Sequence, residues 1–154
     1  MTEKKPKKIL LIGQTMPIEV AGSLLSDRSY KCERSEVVST AEFSMFFKEA
    51  DLVILEHKTS ADFFGLKHSV TLLLKKRNNK IPILIMAERK LNQFEVLFLK
   101  ARKIKWMEVP FDRKELFTLV YQLTTPKIVR WRRLVLAIWR RLLPRRKAKI
   151  LFTA

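Results

Sequence analysis

Three glycines, two histidines and one cysteine occur among 154 residues, and each scarcity removes a class of chemistry. With Cys32 alone, no intrachain disulfide and no thiolate metal cluster is available, as in a protein of a reducing cytosol. His57 and His68 lie on different predicted elements with no third ligand beside them, so no metal site is expected. Gly13, Gly22 and Gly65 are too scattered to form a phosphate-cradling loop. No Ser/His/Asp set presents itself either. The chain is therefore read as no enzyme, with no cofactor and no small-molecule substrate. Long apolar runs are also missing. Ile9–Ile12 spans four residues, against roughly 7–15 for a secretory core. No window reaches the ~18 uncharged apolar residues of a spanning helix.

Acidic residues are absent from the last quarter of the chain. All fifteen Asp and Glu fall between Glu3 and Glu115. Ten Lys and Arg lie from Lys127 to Lys149, in a chain whose net charge is +17. That asymmetry divides the sequence into a body, residues 1–125, and a basic tail, residues 126–154. A charge of this size calls for an anionic partner: nucleic acid, phospholipid or an acidic protein face.

What is present alternates between two patterns. Ile9–Ile12, Leu52–Leu55 and Pro82–Met86 are short continuous apolar runs, as strands buried on both faces would be. Tyr30–Arg34 reads as a weaker edge strand, and Ile104–Val109 as a last one closed by Pro110. Helices are predicted after Pro17, from Thr40 with Phe43, Phe46 and Phe47 on one side, and from Phe63 through Leu74. Further helices run from Leu91 to Arg102 through Phe94, Leu97, Phe98 and Ala101, and from Glu115 to Leu123. Five strands alternating with helices imply an α/β domain with one five-stranded parallel sheet covered on both faces. Working residues in such sheets sit at the carboxyl ends of the strands, here Gly13-Gln14, Glu56-His57, Ala87-Glu88 and Val109-Pro110.

In order and spacing, Asp51-Leu52-Val53-Ile54-Leu55-Glu56, Pro82-Ile83-Leu84-Ile85-Met86-Ala87 and Val109-Pro110-Phe111-Asp112 resemble a bacterial response-regulator receiver domain. Residues 7–123 are covered. The resemblance implies a flavodoxin-like (βα)5 fold. It also implies what a working receiver needs: two acids after strand one for Mg²⁺, an acceptor Asp after strand three, a Thr or Ser after strand four and a Lys after strand five. Gly13, Gln14, Glu56, Ala87 and Val109 stand at those places. One carboxylate is a weak Mg²⁺ site, and nothing offsets charge on a transferring phosphoryl group. The pattern is that of a degenerate pseudo-receiver. Glu56 is either a fixed carboxylate in place of a phosphorylated Asp or a solvated strand-end residue. Trp106 falls where the family keeps a coupling aromatic, or is a rim aromatic. With Phe111 it marks a candidate protein-binding face.

In the tail, Pro126 is placed to begin a helix, with Thr124 or Thr125 as cap, and Pro144 to end it. At ~100° per residue, Ile128, Val129, Trp131, Leu134, Val135, Leu136, Ile138, Trp139, Leu142 and Leu143 sweep an arc of roughly 220°. Arg130, Arg133, Arg140 and Arg141 gather opposite, and only Arg132 intrudes, where its stem can snorkel. An arc this wide exceeds what core packing requires, and ten large apolar residues serve no groove-binding helix. Trp at headgroup level, aliphatics below and Arg toward anionic lipid suit an interfacial helix, with residues 145–149 adding a polybasic patch. A protein-groove partner and a nucleic acid remain open alternatives. The sequence thus reads as a non-catalytic signalling adaptor: a body that binds a protein partner, and a tail that binds an anionic membrane surface or a partner. It would be cytoplasmic, peripheral at the inner face of the membrane. A nucleic-acid-binding regulator, or an assembly subunit whose tail another chain buries, would share these features.

Overall fold

Alternation along the strands builds the core. In β1 (Lys8–Ile12), Ile9 and Leu11 point to one side of the sheet, Leu10 and Ile12 to the other. In β3 (Leu52–His57), Leu52 and Ile54 face the first side, Val53 and Leu55 the second. β4 (Ile83–Ala87) repeats the pattern, with Leu84 and Met86 against Ile83, Ile85 and Ala87. Side chains two residues apart share a face, so uninterrupted apolar runs supply two cores at once. The structure, a computed structural model, describes residues 4–36, 43–77 and 80–142, with the backbone alone at 43–45, 128 and 129.

The strands form one parallel sheet in the order β2-β1-β3-β4-β5, with β2 at Lys31–Ser35 and β5 at Lys105–Glu108. Ile9 pairs with both Cys32 and Leu52, and Ile85 with Trp106. The expected α/β architecture is present. Helices α1 (Met16–Asp27) and α5 (Arg113–Thr124) cover one face through Ile18, Ala21, Leu25, Leu116 and Val120. Helices α2 (Phe43–Glu49), α3 (Phe63–Lys76) and α4 (Gln93–Ala101) cover the other through Phe47, Leu66, Val70, Leu73, Phe98 and Leu99. The predicted cap of α2, Thr40, lies outside the described residues, as do Leu143, Pro144 and residues 145–149.

Two expectations need correction. The helix expected from Leu91 to Arg102 through Phe94, Leu97, Phe98 and Ala101 spans Gln93–Ala101. Only Phe98 of these is buried; Phe94 is 71 % exposed and Leu97 57 %. Leu99 and the charged Glu95 take the inner positions instead. A helix that starts at Gln93, after an Asn92 cap, turns positions 95, 98 and 99 toward the sheet. Pro126 likewise stands just before its helix, α6 (Lys127–Leu142), where its carbonyl accepts the Arg130 N–H at 3.3 Å. Thr124 is not the cap: it ends α5 and donates its hydroxyl to the Val120 carbonyl at 2.8 Å.

Residues Met1–Thr124 and Thr125–Ala154 form two units. Within the second, α6 separates apolar from charged residues more sharply than α1, α3, α4 or α5 does. Trp131, Leu134, Val135, Leu136, Ile138, Trp139 and Leu142 are all exposed, with no acid anywhere on the helix. No helix among the described residues is long and apolar enough to cross a membrane.

Candidate functional site

The carboxyl ends of β1, β3, β4 and β5 bring Gly13, Gln14, Glu56, Ala87 and Val109 to one edge of the sheet, as their sequence positions require. Alternation along β3 sends its last two residues opposite ways. Glu56 turns toward the β1–α1 loop, and His57 goes to the α4 side.

The Glu56 carboxylate is occupied by its own chain. Its Oε2 accepts the Gln14 N–H at 3.1 Å, and its Oε1 accepts the Thr15 hydroxyl. Thr15 stands at the N-cap of α1 yet makes no side-chain cap bond there. Its hydroxyl, which would contribute about 1 kcal/mol as a cap, serves Glu56 instead. Gly13 makes this close approach feasible. A Cβ at Gly13, where φ is +155°, would fall 2.6 Å from Glu56 Oε2 and 2.9 Å from Ile18 Cγ1. The glutamate therefore fills the space that a side chain after strand one would need. Arg34 closes the same loop from β2, its Nε donating to the Gly13 carbonyl at 3.1 Å and its Nη1 meeting Glu19 at 2.6 Å.

These residues do not fit a magnesium ion. The positions after β1 offer no carboxylate, and of the two acids that line the cavity there, Glu36 and Glu56, the second already accepts an N–H and a hydroxyl. Among the described residues, no group of three His, Cys, Asp or Glu could hold a metal. Ala87 is buried in the core on the α3–α4 side and has no hydroxyl to read a phosphoryl oxygen. Val109 packs against the other core and carries no charge. Its N–H donates to the Ala87 carbonyl at 2.8 Å, and the Val109–Pro110 bond is cis.

A second group, absent from the sequence reading, lies one strand residue further on. His57 is 2 % exposed and Glu95 wholly buried, with Nε2 and Oε1 2.8 Å apart. Arg89 grips the same carboxylate from the β4–α4 loop, Nη2 to Oε1 at 2.7 Å and Nη1 to Oε2 at 2.9 Å. The Asn92 N–H adds a bond to Oε2 at 2.8 Å, and the Asn92 side chain returns one from the Glu95 N–H at 2.9 Å. Burial is the largest single influence on Glu95 and raises its pKa; the bonds from Arg89, Asn92 and His57 together outweigh it and leave the group at about 2. Glu95 is thus a carboxylate, and His57 Nε2 must be the donor. Arg89 Nη2, 3.3 Å from that nitrogen, is also only a donor, so that approach is a contact and not a bond.

The loops above the sheet are braced by the same residues. Arg89 Nη2 also donates to the Ala61 carbonyl at 3.0 Å, joining the β4–α4 loop to the β3–α3 loop. Glu88 repeats the join, accepting the Thr59 N–H at 2.9 Å and the Thr59 hydroxyl at 3.2 Å. Direct side-chain bonds thereby join the β3–α3 and β4–α4 loops beside Glu56. The spacing Asn92-x-x-Glu95 was the available signal, since it matches a capping box.

Trp106 and Phe111 are both half-buried, Trp106 against the core under α3 and α4, Phe111 against the core under α1 and α5. His68 is exposed on α3, and Cys32 is half-buried against the α1–α5 core, where burial raises its thiol pKa.

No family model and no curated protein matches the sequence. Solved structures do match the fold. A Vibrio cholerae chemotaxis protein, CheY4, is 17 % identical with a TM-score of 0.61, over 77 % of this chain and 98 % of that one. The signal receiver domain of an HD domain-containing protein from Pseudomonas fluorescens Pf-5 is 20 % identical with a TM-score of 0.61, over 80 % and 90 %. A two-component response regulator from Clostridium difficile is 22 % identical with a TM-score of 0.58, over 76 % and 94 %. Identities this low speak to the fold. The body has the receiver fold, flavodoxin-like, with the strand order and helical cover described above.

Proposed function

We propose that the protein is a non-catalytic adaptor, a pseudo-receiver whose body binds a protein partner and whose tail helix lies on an anionic membrane surface. One observation carries the first half: the Glu56 carboxylate is bonded to the β1–α1 loop in the space where a receiver would hold its ion and phosphoryl group. With Glu56 bonded there, and with Ala87 and Val109 lacking the hydroxyl and the amine of a working site, the body has no groups to switch it and is read as a docking surface. Its braced loops, through Arg89, Glu95, His57, Glu88 and Thr59, support that reading. For the tail, support comes from the composition of α6. Two Trp, an aliphatic stripe and Arg130, Arg133, Arg140 and Arg141 suit the headgroup boundary. The same arginines make spanning costly, at ~2.5–3.5 kcal/mol each at the bilayer centre.

Incubation of the full-length protein with Mg²⁺ and acetyl phosphate tests the non-catalytic reading. The intact mass is expected to stay unchanged. A phosphoryl adduct on Glu56 or a neighbouring residue would overturn it.

A further inference from the structure

Apolar surface on the body concentrates at the outer edge of α3 and α4. Phe64 is 73 % exposed, Phe94 71 % and Leu97 57 %. Single exposed hydrophobics are ordinary, but a contiguous set marks a contact site. These are contiguous: the Phe63 ring lies 5.7 Å from Phe64, 6.4 Å from Phe94 and, edge-on, 5.6 Å from the buried Phe98. The cluster therefore bridges two helices and is anchored at its base in the core. Neither Trp106 nor Phe111 offers comparable exposure, since both are half-buried.

Charge around the cluster is mostly positive, with the exposed Asp62 as the exception. Helix α3 carries Lys67, Lys75 and Lys76 and no acid. Helix α4 carries Lys100, and its one acid, Glu95, is buried and bound to Arg89. Arg102 lies over the Phe98 ring, 4.1 Å from its centroid, and extends the basic rim. Asp62, at the start of α3, is turned onto the Gly65 N–H. A second copy that set this rim against an identical one would bring like charges together, which disfavours such pairing.

We propose that the Phe63–Phe64–Phe94–Leu97 face docks an acidic amphipathic segment of a partner protein, whose apolar residues cover the rings and whose carboxylates meet Lys67, Lys100 and Arg102. This rests on the reading of the body as a docking block and gives it a surface. Helix-in-groove recognition has this form, with apolar anchors at helical spacing and charges setting orientation.

A synthetic peptide serves as probe: an amphipathic helix with Leu and Trp on one face, Glu on the other and a benzophenone among the apolar residues. Photo-crosslinking to the full-length protein, read by mass spectrometry, is expected to label residues 63–67 and 94–102. Affinity is expected to fall roughly tenfold, about 1.4 kcal/mol, in Phe94→Ser with Leu97→Ser. A comparable fall is expected in Lys67→Glu with Lys100→Glu and in a peptide with Lys for Glu. Both substituted pairs are on exposed positions, and unchanged thermal unfolding would show that the fold is kept. Labels confined to residues 127–149, or no labelling, would overturn the proposal. So would self-association of the protein that Phe94→Ser abolishes, because a second copy would then own the face. A phosphoryl adduct at Glu56 would instead defeat the docking-block reading and leave the crosslink map standing.

Discussion

Glu95→Ala is expected to destabilise the full-length protein by about 3 kcal/mol, the largest effect of any single substitution in the body away from the apolar core. The carboxylate is wholly buried and receives bonds from Arg89, His57 and the Asn92 N–H. Truncation removes all of them and leaves His57, 2 % exposed, without its acceptor. Breaking a buried charged group typically costs about 3–5 kcal/mol. The lower end applies here because Arg89, 27 % exposed, can turn toward water. Urea unfolding with an unchanged m-value measures the loss.

Acid gives the same answer without mutation. Glu95 sits at about 2 when folded, against 4.5 for the free group. A pKa depressed on folding contributes stability that is present in full above about pH 4.5 and is lost as pH falls toward 2. At about 1.4 kcal/mol per pKa unit, the contribution is on the order of 3 kcal/mol. Stability of the wild type should therefore decline through that window, and in Glu95→Gln the decline should be shallower by a comparable amount. Equal slopes would mean that the carboxylate is not held as described.

Trp131→Ala with Trp139→Ala is expected to lower partitioning onto anionic vesicles by about 1,000-fold or more. Each indole brings roughly 150–250 Å² of surface, and burying half of that at about 25 cal/mol per Å² contributes about 2–3 kcal/mol. Both rings are exposed, Trp131 by 69 % and Trp139 by 53 %, so both can enter the headgroup region. Neutral vesicles should bind the wild type more weakly, because each arginine near an anionic leaflet contributes about 1 kcal/mol that salt screens. Flotation of the wild type and the double variant with both vesicle types, alongside titration with duplex DNA and RNA, separates the readings. Tight nucleic-acid binding that ignores the two Trp changes but falls steeply with salt would move the tail to the nucleic-acid reading.

The sheet was legible in the sequence because strands buried on both faces leave continuous apolar runs, and Ile9–Ile12, Leu52–Leu55 and Ile83–Met86 could hardly be placed otherwise. The site positions were legible as places, since each lies in the last two residues of a strand or one or two beyond it. What the residues do there was not. The bonds of Glu56 to Gln14 and Thr15 cross more than forty residues of sequence, and nothing local to either segment announces them. Helix α4 misled for a related reason. Phe94 and Leu97 look like core residues and Glu95 like a surface one, while the acceptor role that draws Glu95 inward depends on His57, 38 residues away. Only Arg89 and the Asn92 cap were near enough in sequence to hint at it.

Direct measurement of Mg²⁺ binding to the full-length protein by titration calorimetry, with Glu56→Gln in parallel, reaches the central claim. With Glu56 satisfied by the Gln14 N–H and the Thr15 hydroxyl, the expected result is no saturable heat for either protein. Saturable binding by the wild type that Glu56→Gln abolishes would contradict it, because the strand-end edge would then be a working ion site.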